Sequence, residues 1–163
     1  MIIVKKSGYL LFKNYKFKCA IGKNGIKKKT KEGDNITPKG TFKLIKVYYR
    51  ADRIKNLKTK LKKKKIKKNT AWCDDYRSKF YNKEMQLPSN YRYENFYRRD
   101  HIYDLIVTIN YNTNPIIKKK GSAIFIHITK KKFKSTQGCI ALKKNDLLLL
   151  LSKITKKIGR AHV

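Results

Sequence analysis

Acidic side chains are scarce in this chain. Ten Asp and Glu stand against 43 Lys and Arg in 163 residues, a formal charge of +33. That excludes a self-neutralising surface and predicts salt-sensitive attraction to polyanions. Cysteine is scarce too. Cys19, Cys73 and Cys139 form no CxxC pair, and His101, His127 and His162 make no metal-ligand spacing with them. A structural zinc and a disulfide scaffold are therefore excluded from the expectation, and no metal or cofactor is called for. An odd cysteine leaves at least one thiol free or paired between molecules. No apolar run reaches the ~18 residues of a membrane span. The opening, MIIVKKSGYLLFKNYKFK, interrupts its apolar residues with lysines, so no signal peptide is visible. There is no linker and no repeat, and the length suits one domain over residues 1–163.

What is present is a folded protein's apolar content, 40% of the chain, with Tyr, Phe and Ile prominent. The lysine excess has two readings. One is an anionic partner, either nucleic acid or an envelope polymer. The other is codon bias, since Lys, Ile, Asn and Tyr all have A/T-rich codons. IIVKK, YLLFK and KFKCAIG read as a β-meander with turns at Ser7–Gly8 and Asn14–Tyr15. TFKLIKVYY, YDLIVTINYN and GSAIFIHIT read as further strands, the last central in a sheet because it is almost continuously apolar. Residues 51–70 hold the densest basic run, where like-charge repulsion favours an exposed insertion. KKNDLLLLLSKI is the one clear helix, with Asn145 as its expected N-cap. Many short strands and one late helix imply a mainly β domain with a helix packed on it.

Two residues stand out chemically. His127 closes an apolar strand, and Cys139 follows twelve positions later after a lysine-rich, turn-like segment. Adjacent antiparallel strands joined by that segment would bring imidazole and thiol together. A histidine beside a cysteine lowers the thiol pKa and supplies a proton later. Gly138 would allow close backbone approach to a substrate, and the N–H groups of Gly138 and Cys139 would receive an oxyanion. The bland alternative is a small buried thiol and a satisfied strand histidine. Cys73, beside two aspartates, is a poor nucleophile, and Cys19 sits in an alternating core run.

His127, then Thr136-Gln-Gly138-Cys139-Ile140, resembles the His…(Ser/Thr)-x-Gly-Cys-(Ile/Val) signature of the L,D-transpeptidase catalytic-domain family, the YkuD type. GDNITPKGTFKL (Gly33–Leu44) is similar to that family's Gly-Asp-x-x-Thr-Pro-x-Gly-x-Phe segment. WCDDYRSKFYN, RRDHIYDLIVTINYN and GSAIFIHI resemble its short single-domain branch. Where many members carry Gly after the histidine and Arg or Asn two residues past the cysteine, this chain has Ile128 and Ala141.

The resemblance implies a β-sandwich with a mixed sheet. It implies a Cys139 nucleophile, with His127 as general base and then acid. The substrates it implies are peptidoglycan stem peptides, and the products a crosslink between third residues or release of the terminal D-alanine. Acylation of Cys139 by carbapenems is expected of the family. The same-fold alternative is a carboxypeptidase or peptide amidase; the alternative from another class is a basic nucleic-acid-binding module. The family implies the cell envelope, whereas the lack of a visible signal peptide leaves the cytoplasm open. Thr136 either hydrogen-bonds near the histidine or caps a turn. Trp72, Asp75 and Tyr81 either line a substrate groove or, for Asp75 and its neighbour Asp74, anchor basic loops through ion pairs.

Overall fold

The computed structural model describes residues 1–155 and 160–163. It is mainly β. The opening meander forms as its alternation dictates: β1 (Ile2–Lys5), β2 (Tyr9–Phe12) and β3 (Tyr15–Ala20) point Ile2, Val4, Leu10, Phe12, Phe17 and Cys19 inward. The Gly8 N–H donates to the Lys5 carbonyl at 3.0 Å and closes the first turn. Two short strands, β4 (Ile26–Lys27) and β5 (Thr37–Pro38), pair in parallel beyond the meander.

The long strand β6 (Thr41–Tyr49) organises the rest. Its first three residues pair with β14 (Arg160–His162), and its remainder pairs antiparallel with β11 (Leu105–Ile109). From β11 the sheet runs through β12 (Phe125–Ile128), β13 (Ile140–Leu142), β3, β2, β1 and β14 back to β6, so it closes on itself. Closure leaves few free edges. The β7 strand (Lys62–Lys65) pairs in parallel with β6 as an outlying edge. A separate sheet of β8 (Thr70–Cys73), β9 (Glu84–Gln86) and β10 (Tyr93–Asn95) has β8 at its centre.

The wall formed by β11 and β12 is covered on both faces. Leu105, Val107 and Ile126 face the main core, with Leu147, Leu150 and Leu151 of helix α1 (Lys144–Lys153). Ile106 and Phe125 face the other way, into an aromatic cluster with Tyr48, Phe96 and Tyr103. Trp72 of β8 stacks on Phe96 and meets Phe125 edge-on, with ring centroids 6.2 and 5.3 Å away. Burial on both faces explains the near-continuous apolar text of LIVTI and FIHI.

Two expectations are corrected. Residues 51–70 are not an exposed insertion throughout. They contain β7 and seat Ile54, Leu57 and Ile66 in the interior. An edge strand tolerates four consecutive lysines because every one of them reaches water, and all four are exposed. Asn145 is not the N-cap. The helix starts at Lys144, its N-cap is Lys143 with no side-chain cap, and Asn145 lies inside the first turn beside Asp146.

The leucine run of α1 should split by face. Leu151→Ala, at a fully buried position, should cost about 2–5 kcal/mol in denaturant unfolding. Leu149→Ala, at an exposed position, should change stability by no more than about 0.5 kcal/mol.

Candidate active site

Strand alternation decides where the histidine points. Ile126 and Ile128 face the main core, so His127 between them faces the aromatic side with Phe125. The β12 and β13 strands are parallel, not antiparallel as the sequence suggested, and His127 lies opposite Ala141. Stepping back one pleat puts Cys139 beside Phe125, on the face of His127. The Phe125 N–H donates to Cys139 Sγ at 3.3 Å, as this register requires. A parallel pair needs a crossover, which residues 129–139 supply. The small side chain of Ala141 leaves space in front of the imidazole.

The turn before Cys139 is locked by one hydroxyl. Thr136 Oγ1 accepts the Gly138 N–H at 3.1 Å and donates to the Cys139 carbonyl at 2.6 Å. Backbone bonds tie Thr136 to the chain beyond β3: its N–H donates to Ile21 O and its carbonyl accepts from the Lys23 N–H, both at 2.9 Å. Gly138 has φ +136°, and a Cβ there would lie 2.8 Å from the Ile36 carbonyl oxygen and 3.0 Å from Ile124 Cδ1. The chain's own packing already requires the glycine. With the Gly138 N–H engaged by Thr136, the Cys139 N–H is the one without a hydrogen-bond acceptor among the described residues.

The thiol and imidazole line one cavity of about 310 Å³. His127 Nδ1 lies 2.8 Å from the Ile128 carbonyl oxygen. Nδ1–H therefore donates, and Nε2 keeps its lone pair. The Tyr103 ring meets the imidazole edge-on, with centroids 5.3 Å apart. Burial lowers the His127 pKa to about 4, against the smaller opposing pull of the Ile128 carbonyl. Burial pushes the Cys139 thiol up to about 12, with the Phe125 N–H opposing. The thiol donates to the Ala123 carbonyl, 3.2 Å away. Both groups are thus neutral at pH 7, whereas the sequence suggested a thiol acidified by its histidine. Imidazole burial disfavours the imidazolium that would have stabilised a thiolate.

Thr136 lines the cavity, while Trp72, Asp75 and Tyr81 do not. The indole of Trp72 supports the aromatic cluster, and its Nε1–H donates to Asn82 Oδ1 at 3.0 Å. Asp75 is buried and binds Arg77, as the ion-pair alternative has it. Tyr81 is buried and donates to Glu32 Oε2 at 2.5 Å. Asp74 does reach the cavity, and it also pairs with Arg92. Sequence reasoning missed Glu32, Glu94, Arg98 and Tyr103 in the lining. The available signal was the rarity of acids: Glu32 interrupts KKKTKEGD, and Glu94 sits in the aromatic-rich YRYENFY. His101 is exposed and pairs with Asp104 at 2.7 Å. Among the described residues no group of His, Cys, Asp or Glu is arranged to hold a metal.

A histidine with a backbone-fixed tautomer and a thiol on a strand-end turn agree with the sequence signature. The chain also matches the L,D-transpeptidase catalytic domain (YkuD) over residues 1–161. It belongs to that family. No curated protein and no solved structure matches it. The mainly β fold with a mixed sheet and one late helix is that expected of an L,D-transpeptidase domain. Among the described residues no helix is long and apolar enough to cross a membrane.

Two outcomes follow from this geometry. Gly138→Ala should lower the melting temperature and slow alkylation of Cys139, because the added Cβ must displace Ile36 or the turn. The buried His127 binds its proton near pH 4 in the folded state and near 6.5 when unfolded. The unfolded chain therefore holds more protons between those values, and stability falls as pH drops through that window. Relative to His127→Gln, the wild type should lose up to roughly 3 kcal/mol between pH 7 and 4 in denaturant titrations.

Proposed function

We propose that this domain is a cysteine-dependent L,D-transpeptidase that acts on peptidoglycan stem peptides through an acyl-enzyme. The observation that carries the reading is the shared cavity, lined by both the Cys139 thiol and the His127 imidazole, whose Nε2 is left free to accept a proton. Both being neutral, proton transfer accompanies attack instead of preceding it. Sγ bonds to the carbonyl carbon of the third stem residue as His127 Nε2 takes the thiol proton. The Cys139 N–H is placed to receive the oxyanion. Collapse breaks the C–N bond, His127 returns the proton to the leaving amine, and D-alanine departs. An amine of a second stem then attacks the thioester and gives its proton to His127. Cleavage of the C–S bond and reprotonation restore the thiol. Water in place of that amine gives the carboxypeptidase outcome from the same intermediate.

Incubation with tetrapeptide muropeptides should release D-alanine and add the acyl mass to the protein, read by mass spectrometry. Cys139→Ala should abolish both. His127→Ala should slow acylation by about 10²–10⁴-fold, the usual worth of a positioned acid–base. Intact substrate after long incubation with fully reduced protein would overturn the proposal.

A further inference from the structure

Two isoleucines are exposed among the described residues, Ile45 at 45% and Ile117 at 47%. Each is held outward by the backbone. In β6 the register steps from Lys46 opposite Thr108 to Leu44 opposite Ile109, which leaves Ile45 as the extra residue of a bulge. Bulges re-aim side chains, and Leu44 and Val47 keep the core positions on either side. Ile117 belongs to the loop that follows β11. The Asn112 side chain pins that loop, accepting the Ile117 N–H at 2.8 Å and donating to the Ile117 carbonyl at 2.9 Å.

The two form one patch, not scattered exposures. Ile116 and Ile45 line the same shallow groove of about 240 Å³, which shares no residue with the Cys139 cavity. Cations surround it. Lys43 and Lys46 flank Ile45 on β6, and Lys62 of β7 stands opposite Lys46 in register. Lys83 lines the groove and is exposed. Lys118, Lys119 and Lys120 follow Ile117 directly, and all three are exposed. None of these lysines forms an ion pair among the described residues. The groove holds one acid, Glu84, which is already neutralised by Lys64 at 2.5 Å and accepts the Tyr48 hydroxyl at 2.7 Å. Its aromatics, Tyr48 and Trp72, are packed on Phe96, so no exposed ring is offered to a nucleic-acid base.

We infer that this face is a docking surface for an anionic phospholipid bilayer. Ile45, Ile116 and Ile117 enter the boundary between headgroups and acyl chains, and the long lysine stems around them reach the lipid phosphates. A polyanion dissolved in water would engage the lysines and gain nothing from the isoleucines. The combination of fixed apolar side chains with unpaired cations is what selects a lipid surface. Lys119 also lines the groove that adjoins the Cys139 cavity, so the docked face lies beside the approach to the thiol. The inference does not depend on which reaction Cys139 performs.

The test is sedimentation of the full chain with phosphatidylcholine vesicles and with vesicles enriched in phosphatidylglycerol, at physiological salt. Single-stranded DNA serves as the lipid-free polyanion. The wild type should sediment with the anionic vesicles alone. Ile45→Ser/Ile117→Ser should weaken that binding about tenfold, through the apolar surface no longer buried in lipid, and leave DNA affinity unchanged. A +33 chain is drawn to any anionic surface, so two lysine sets of equal charge are compared. Lys43→Gln/Lys83→Gln/Lys118→Gln removes three patch charges, and Lys5→Gln/Lys6→Gln/Lys16→Gln removes three from the meander. The patch set should lose at least about tenfold more vesicle affinity than the meander set. Every substituted side chain is exposed, so the fold is retained, and unchanged melting temperatures verify it. Equal losses in the two lysine sets overturn the inference, because the charge then acts without a site. Unchanged vesicle binding in the isoleucine variant also overturns it. If DNA binding depends on the patch lysines in that case, the face is a nucleic-acid surface instead.

Discussion

The site depends on one register, the parallel pairing of β12 with β13. It sets His127 opposite Ala141 and, one pleat earlier, brings the Phe125 N–H to the thiol of Cys139. A slip of one residue would turn the imidazole into the main core and the leucine of β13 toward the cavity. What prevents the slip lies on both sides of the pair. Ile126, Ile128, Ile140 and Leu142 are committed to the core on one face, and Phe125 to the aromatic cluster on the other. The Thr136 hydroxyl then fixes where β13 begins. The geometry of the site is thus a by-product of hydrophobic alternation, terminated by a turn at 138 whose packing favours glycine.

The same packing sets the electrostatics. A strand buried on both faces gives its histidine a dry environment, so the imidazole stays neutral and its Nδ1–H is spent on the nearest carbonyl, that of Ile128. A neutral imidazole cannot hold a thiolate, and the thiol rests on the Ala123 carbonyl instead. On the reading proposed above, substrate entry does part of the activation, because the thiol has to leave the Ala123 carbonyl before its proton can pass to His127.

The meander, the strands around β6, β11 and β12, and the helix were legible because each is one regular alternation or one leucine-rich face. His127 and Cys139 were legible as a pair because few residues of that chemistry exist in the chain. The parallel sense of their strands was not, because an eleven-residue connection permits either sense and the choice is made by β3, which claims the far edge of β13. Trp72 and Tyr81 read as groove residues; neither lines the Cys139 cavity, and instead Trp72 packs against Phe96 and Phe125 and Tyr81 is buried against Glu32. Glu32 carried its own signal, a lone acid in a lysine run, but its meaning rests on Tyr81 and Ser122, which lie 49 and 90 residues away.

The lysine excess acquires a structural use at β7. A closed sheet has little edge to protect, yet β6 is longer than its ring partners need, and Lys46–Tyr49 would expose an unpaired side. The chain covers that side with four lysines. Their backbone satisfies the β6 edge, and their side chains leave the new outer edge too charged to recruit another strand. Ile54 and Leu57 hold the approach to β7, and Ile66 the exit, so the repulsion among the lysines is borne by apolar anchors at both ends. Charge of one sign is tolerable here because it is laid out in an extended strand. In a helix the same four residues would stack at i, i+3 spacing and oppose the fold.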